Sequence, residues 1–221
     1  MAQLFVGLMA EGATDYRFLK PIVEKTLVQI AHDCTGQIDI DVFNVEYIKD
    51  GGFVDYVFSA SKKGFNEFGI MILVIHADAD ALSPNDVYDN KINPAKSRIG
   101  QEEEEICKNI AALVPVYETE SWMFADKAFL KKQIGTKMLD ADLGIDGSPE
   151  SFSRPKERIE EAIRIGREEL PPKIRHRLKI DDLYSIMGEA IQTEKLLVYE
   201  SYNDFVRNIR RELVQLRLLN E

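Results

Sequence analysis

The sequence predicts an α/β protein: a mostly parallel four-stranded sheet flanked by helices, with a C-terminal helical extension packed on it. Three observations predict it. Short apolar or alternating runs recur between stretches of helical periodicity, the pattern of strand, helix and strand in a doubly wound sheet. One run, "GIMILVIHAD", has no polar residue for six positions after Gly69, as in a strand covered on both faces. Beyond residue 150 the chain reads as helix alone, each helix apolar on one face.

The first strand lies in "QLFVGLMAEG", a continuous apolar run closed by Gly12. Phe18, Leu19, Ile22, Val23, Leu27 and Ile30 then recur at helical spacing. "IDIDVFNVEYI" alternates apolar and polar residues and is rich in β-branched types, which predicts a second strand, followed by a short helix within residues 53–66. "GIMILVIHAD" is the third strand and the expected centre of the sheet. After a loop rich in Pro and Asn, residues 100–111, "GQEEEEICKNIA", read as a helix with acids in its first turns, where the macrodipole favours them. "ALVPVYETE" follows as a short fourth strand and "ESWMFADKAFLKKQI" as a further helix. The α/β core is expected over residues 1–135 and the helical extension over 136–221. Residues 136–152 are loop-like, "RPKERIEEAIRIGREEL" is helical, and two or three more helices follow a break at Pro171 and Pro172. In the last of them Phe205, Ile209, Leu213 and Leu216 form one face that packs on the domain or serves a partner.

With 221 residues, 45% of them hydrophobic, the chain can bury one sizeable core. Its 38 acidic against 28 basic residues leave a net charge of −10, a field that repels phosphate backbones. A nucleic-acid substrate therefore calls for bound cations or a basic partner. Cys34 and Cys107 stand alone, without zinc-type spacing, which points to a reducing, cytoplasmic compartment. "LFVGLMA" is too short for a signal sequence and lacks a basic flank, and no apolar stretch approaches the roughly 18 residues a membrane helix needs.

Chemistry concentrates at the strand ends. In open α/β sheets functional residues gather beyond the carboxyl ends of the strands, and three of the four predicted strands end in acids: Glu11, then Asp78 and Asp80, then Glu118 and Glu120. Strand parity puts His76 and Asp78 on one side, with Asp80 following while the chain stays extended. Carboxylates this close repel one another unless a cation, a shared proton or solvent compensates, and a hard divalent ion, Mg²⁺ or Mn²⁺, is the economical answer. Each acid also has a plain alternative: Asp15 and Asp80 as helix caps, Glu118 and Glu120 as residues that orient the following helix. His76 is either part of the site or a satisfied core residue.

The order and strand context of Glu11, Gly12 and Asp15, in "EGATD", and of Asp78 and Asp80, in "HADAD", resemble the Toprim superfamily of topoisomerases, primases and overcoming-lysogenization-defect nucleases. The segments "VPVYETESWMFAD", "RPKERI" and "ESYNDFVRNI" resemble a group of small stand-alone Toprim-like proteins found beside ABC-type or structural-maintenance-type ATPases in bacterial loci linked to phage defence. The resemblance implies a Toprim-like fold, Mg²⁺ or Mn²⁺ held by these carboxylates, acid–base chemistry at Glu11, and an ATPase partner. Nucleic acid and a second copy of the chain stand as further candidate partners.

Other features carry less. Asp140 and Asp142 in "LDADLGID" fail the EF-hand template, which wants an acid where Gly144 stands and Glu where Ser151 stands. Trp122, Phe124 and Phe129 read as core rather than base-stacking groups. Lys156 and Arg158 in "SRPKER" form the one compact basic stretch suited to a phosphate, though Pro155 also marks an ordinary helix start. No Walker A segment, G-x-S-x-G or HExxH occurs. Two functions fit: a metal-dependent phosphodiesterase acting on nucleic acid, or a non-catalytic metal- or nucleotide-binding module of an ATPase complex. Relief of repulsion predicts that Asp78→Ala leaves the fold stable or slightly stabilised.

Overall fold

The computed structural model describes residues 2–48 and 50–220. β1 (Ala2–Met9) leads into α1 (Ala13–Ala31), then β2 (Ile38–Asn44), α2 (Phe53–Phe68) and β3 (Ile72–His76). A helical stretch follows, made of α3 (Asn85–Val87), a π-helical turn over Tyr88–Ile92 and α4 (Asn93–Gln101), and then β4 (Ile110–Leu113). A 3-10 stretch over Thr119–Asp126 runs into α5 (Lys127–Ile134). The extension comprises α6 (Pro155–Gly166), α7 (Pro172–Arg175), α8 (Leu183–Ala190), α9 (Thr193–Leu196) and α10 (Glu200–Gln215).

The sheet is parallel throughout, in the order β2-β1-β3-β4. Side chains alternate across it: Leu4, Val6, Leu8, Ile72 and Val74 join a core with α1 and the extension, while Met9, Leu73 and Ile75 join a second with α2 and α4. β1 therefore feeds α1 on one face, toward β2, and β3 feeds α4 on the other, toward β4. Between the carboxyl ends of β1 and β3 the connections part in opposite directions, which is the switch point where such sheets form a crevice.

The extension packs on the sheet as one body with α1. Trp122, Tyr184, Tyr202, Phe205, Ile209 and Leu213 share a buried cluster with Leu4, Val6 and Leu8. α8 lies against α1 so closely that a Cβ on Gly188 would stand 2.3 Å from the Phe18 carbonyl oxygen. The Lys25 ammonium donates to the carbonyls of Gly188 at 2.9 Å and Glu189 at 3.2 Å, and to that of Ile191, a cation at a helix C-terminus. Among the described residues no helix is long and apolar enough to cross a membrane.

The structure corrects three element assignments. Residues 100–111 are not a helix: the helix begins at Asn85 and ends at Gln101. Pro94 follows directly on the π-helical turn over Tyr88–Ile92, where the helical bonding pattern is already shifted, and four consecutive glutamates, Glu102 to Glu105, leave the helix exposed or nearly so. The fourth strand is Ile110–Leu113 rather than residues 112–120. Beyond it the chain still follows β3, with Ala77 N–H donating to Leu113 O, Ala79 N–H to Pro115 O and Asp80 N–H to Tyr117 O. The helix expected over 120–134 divides at Asp126, whose carboxylate caps α5 by accepting the Phe129 N–H at 3.0 Å.

Candidate functional site

Glu11 and Asp78 flank the switch point, one after β1 and the other after β3. The turn at Glu11 is built by α1: Gly12 is its extended N-cap residue, and the Asp15 carboxylate accepts the Gly12 N–H, closing the first turn. Asp15 is thus a cap, and it also lies within electrostatic reach of Asp78 and His76. Tyr47, just past β2, sends its hydroxyl to the Glu11 carbonyl at 3.5 Å. The two bonds hold the peptide that follows Glu11 at its carbonyl and at its N–H.

His76 joins the two sides. It is fully buried, while the Asp78 side chain is 20% exposed. Its Nδ1 lies 3.5 Å from the Glu11 nitrogen, and in the neutral ring this N–H donates to Nδ1 while Nε2 carries the proton. Nε2 lies 3.2 Å from Asp78 Oδ1 and 2.8 Å from Thr119 Oγ1. Asp78 Oδ1 also accepts the Thr119 N–H at 2.9 Å and its hydroxyl at 3.1 Å. The histidine holds β1, β3 and the segment after β4 in one arrangement, a buried and satisfied side chain that bonds directly to Asp78.

The charges are unevenly compensated. Burial drives the Asp78 pKa up, but the bonds from His76 and Thr119 outweigh it and leave the carboxyl below its usual range. Burial drives His76 down, and the neighbouring Asp78, Asp15 and Glu11 outweigh that and hold it above its usual value. Glu11 and Asp15 end above the ordinary range, chiefly through burial, with Asp78 adding to the rise. Because Asp78 is held in its charged form by three donors, Asp78→Ala strands buried partners rather than relieving repulsion. The expectation of a neutral or stabilising substitution is therefore reversed.

Other predicted residues take different places. Asp80 adopts a left-handed backbone, φ 54°, which ends the extended run, and its side chain is exposed. Its charge acts on Glu118, so parity fails and Asp80 serves the β4 side. Glu118 accepts the Lys156 N–H at 3.3 Å, capping α6 rather than the helix it precedes. Glu120 is buried and accepts the Tyr184 hydroxyl of α8. The Lys156 side chain nevertheless lies close enough to lower the pKa of both Asp15 and Glu118. Trp122 and Phe124 are fully buried and Phe129 partly so, as core residues.

Sequence reasoning missed Thr119 and Lys91. Thr119 stands between two glutamates in "ETE", with no signal beyond its place after a strand. Lys91 lies on the π-helical turn, with its ammonium 3.7 Å from Glu11 Oε1 and 5.7 Å from the Phe53 ring centroid. Such turns recur at functional sites because the extra residue re-aims a side chain.

Glu11 and Asp78 bring carboxylate oxygens, the donor type that Mg²⁺ and Mn²⁺ take, to the crevice. Among the described residues no three His, Cys, Asp or Glu side chains are gathered as a metal cage. Mg²⁺ does not require one, since it commonly takes one or two carboxylates and completes its shell with water and substrate phosphate. No family model matches the chain, and neither a curated protein nor a solved structure is significantly similar to it.

Proposed function

We propose that the chain is a Toprim-like phosphodiesterase that uses Mg²⁺ or Mn²⁺ to hydrolyse nucleic acid, working in the cytoplasm with an ABC-type or structural-maintenance-type ATPase. The observation that carries this reading is the pairing of Glu11 and Asp78 across the switch point, with His76 and Thr119 orienting Asp78. Glu11 and Asp78 hold the ion, which supplies charge to the phosphate oxygens and acidity to a bound water. Lys91 offers a cation to the same phosphate. Asp15 and Lys156 set the field around the crevice. With a net charge of −10, duplex binding at physiological salt depends on a basic partner.

A second reading, an ion- or nucleotide-binding module that regulates an ATPase, draws on two features. Lys91 stands against Glu11, and no three-ligand cage is formed among the described residues. The test is a cleavage assay with Mg²⁺ and with Mn²⁺, with and without the partner ATPase, on wild type, Glu11→Gln and Asp78→Asn. Loss of about a hundredfold or more in both variants supports hydrolysis. Cleavage that survives both substitutions overturns it, and a wild type silent under every condition favours the regulatory module.

A further inference from the structure

A second cleft adjoins the crevice on its β2 side and shares Glu11 with it. It encloses about 490 Å³ between the β1–α1 turn, which contributes Gly12, Tyr16 and Arg17, and the end of β2, which contributes Asn44 and Tyr47. That volume lies within the range of sites for small organic ligands, and its lining joins aromatic rings to a few polar groups, as such sites do. Tyr47 is held on two sides: its ring centroid is 5.2 Å from that of Tyr56 at an interplanar angle of 33°, and its hydroxyl reaches the Glu11 carbonyl. A ring anchored in this way lines the cleft at low entropic cost. Asn44 and Arg17 are exposed, an amide that can pair with a polar ring edge and a planar cation that can cover a ring face.

We propose that this cleft receives the nucleobase next to the phosphate that Lys91 and an ion on Glu11 and Asp78 would hold, so that the substrate is a single-stranded or extruded nucleotide rather than an intact duplex. The inference rests on the reading of Glu11 and Asp78 as the phosphate end of the site. Stacking on Tyr47 supplies base affinity without strong sequence preference. A base in a duplex reaches the cleft only after unstacking, which costs a few kcal/mol, and the acidic surface does little to offset that through backbone contacts.

The experiment is calorimetric titration of the full chain, in Mg²⁺, with adenosine 5′-monophosphate and with ribose 5-phosphate, which differ only in the base. The expected result is at least about tenfold tighter binding of the nucleotide, a preference removed by Tyr47→Leu, retained by Tyr47→Phe and weakened by Arg17→Ala. Arg17 is exposed, so its variant reports on the cleft even if Tyr47→Leu folds poorly. Equal affinity for the two ligands, binding of neither, or a preference that survives both Tyr47→Leu and Arg17→Ala overturns the proposal. Base preference without cleavage retains the cleft while hydrolysis fails, and cleavage without base preference does the reverse.

Discussion

The acids at the end of β1 and β3 and those after β4 are the same residue types in the same kind of position, yet they have different fates. After β1 and β3, Glu11 and Asp78 border a crevice because the helices that follow depart to opposite faces. After β4 the chain turns under the extension, and Glu118 and Glu120 are taken up by α6 and by Tyr184 of α8. After β4 the carboxylates are built into the packing of neighbouring helices, whereas Glu11 is paired with the Lys91 ammonium at the edge of the crevice. Asp78 is an intermediate case: Oδ1 is occupied by His76 and Thr119, and that occupation keeps the group ionised.

The strongest way to break this contrast is Asp78→Ala. It should lower cleavage by about a hundredfold or more and also destabilise the fold by on the order of 3 kcal/mol, since the Thr119 and His76 donors lose their acceptor. Urea melts beside the cleavage assay measure both, and a variant as stable as wild type would undo the network described for Asp78. Tyr184→Phe should act on the other side alone. The buried Glu120 carboxyl loses its donor at a cost of about 1–3 kcal/mol, with activity per folded molecule unchanged; a large loss of activity would move Glu120 into the working site.

Smaller effects sharpen the comparison. Glu118→Ala removes the bond to the Lys156 N–H at the start of α6 and should cost about 0.5–1 kcal/mol by chemical denaturation, again without loss of turnover. The pH profile of thermal stability should carry both signs. Glu118 and Glu120 are raised above 4.5, chiefly by burial, so their contribution is full below that value and is lost as pH rises through their folded pKa. Asp78 is lowered below 3.8, so its contribution is full above that value and is lost as pH falls through its folded pKa. Mild acidification from neutrality should therefore raise the melting temperature and stronger acid lower it. In Glu120→Gln the first rise should shrink.

Where a strand is long, apolar and closed by a turn residue, the sequence was a good guide: β1, α1, β2, α2 and β3 lie where periodicity puts them, and the parallel sheet follows from their alternation. It failed between residues 85 and 120. There Pro94 and the asparagines look like loop but lie in a helix, and the glutamate run looks like a helix start but follows one, because the π-helical turn before Pro94 takes up the break in bonding and four adjacent like charges gain little from extending the helix. Glu11, Gly12, Asp15, His76 and Asp78 were legible as a group from their places after strands. Asp80 was misplaced because strand parity cannot foresee a left-handed residue. Lys91 and Thr119 were invisible because a register shift in a helix and a bond across strands leave no mark in spacing.

The close approach of Gly188 to Phe18 sets an alignment between two parts of the chain that are remote in sequence. With a bare α-carbon against a carbonyl, α8 has one seat along α1, and sliding by a single residue would drive a side chain into the backbone there. The contact works as a keyway, and it indexes the helix capped by Gly12, the residue after Glu11. A one-residue insertion or deletion in α8 before Gly188 should therefore be rejected, while the same change in the exposed run of residues 103–105 should be absorbed.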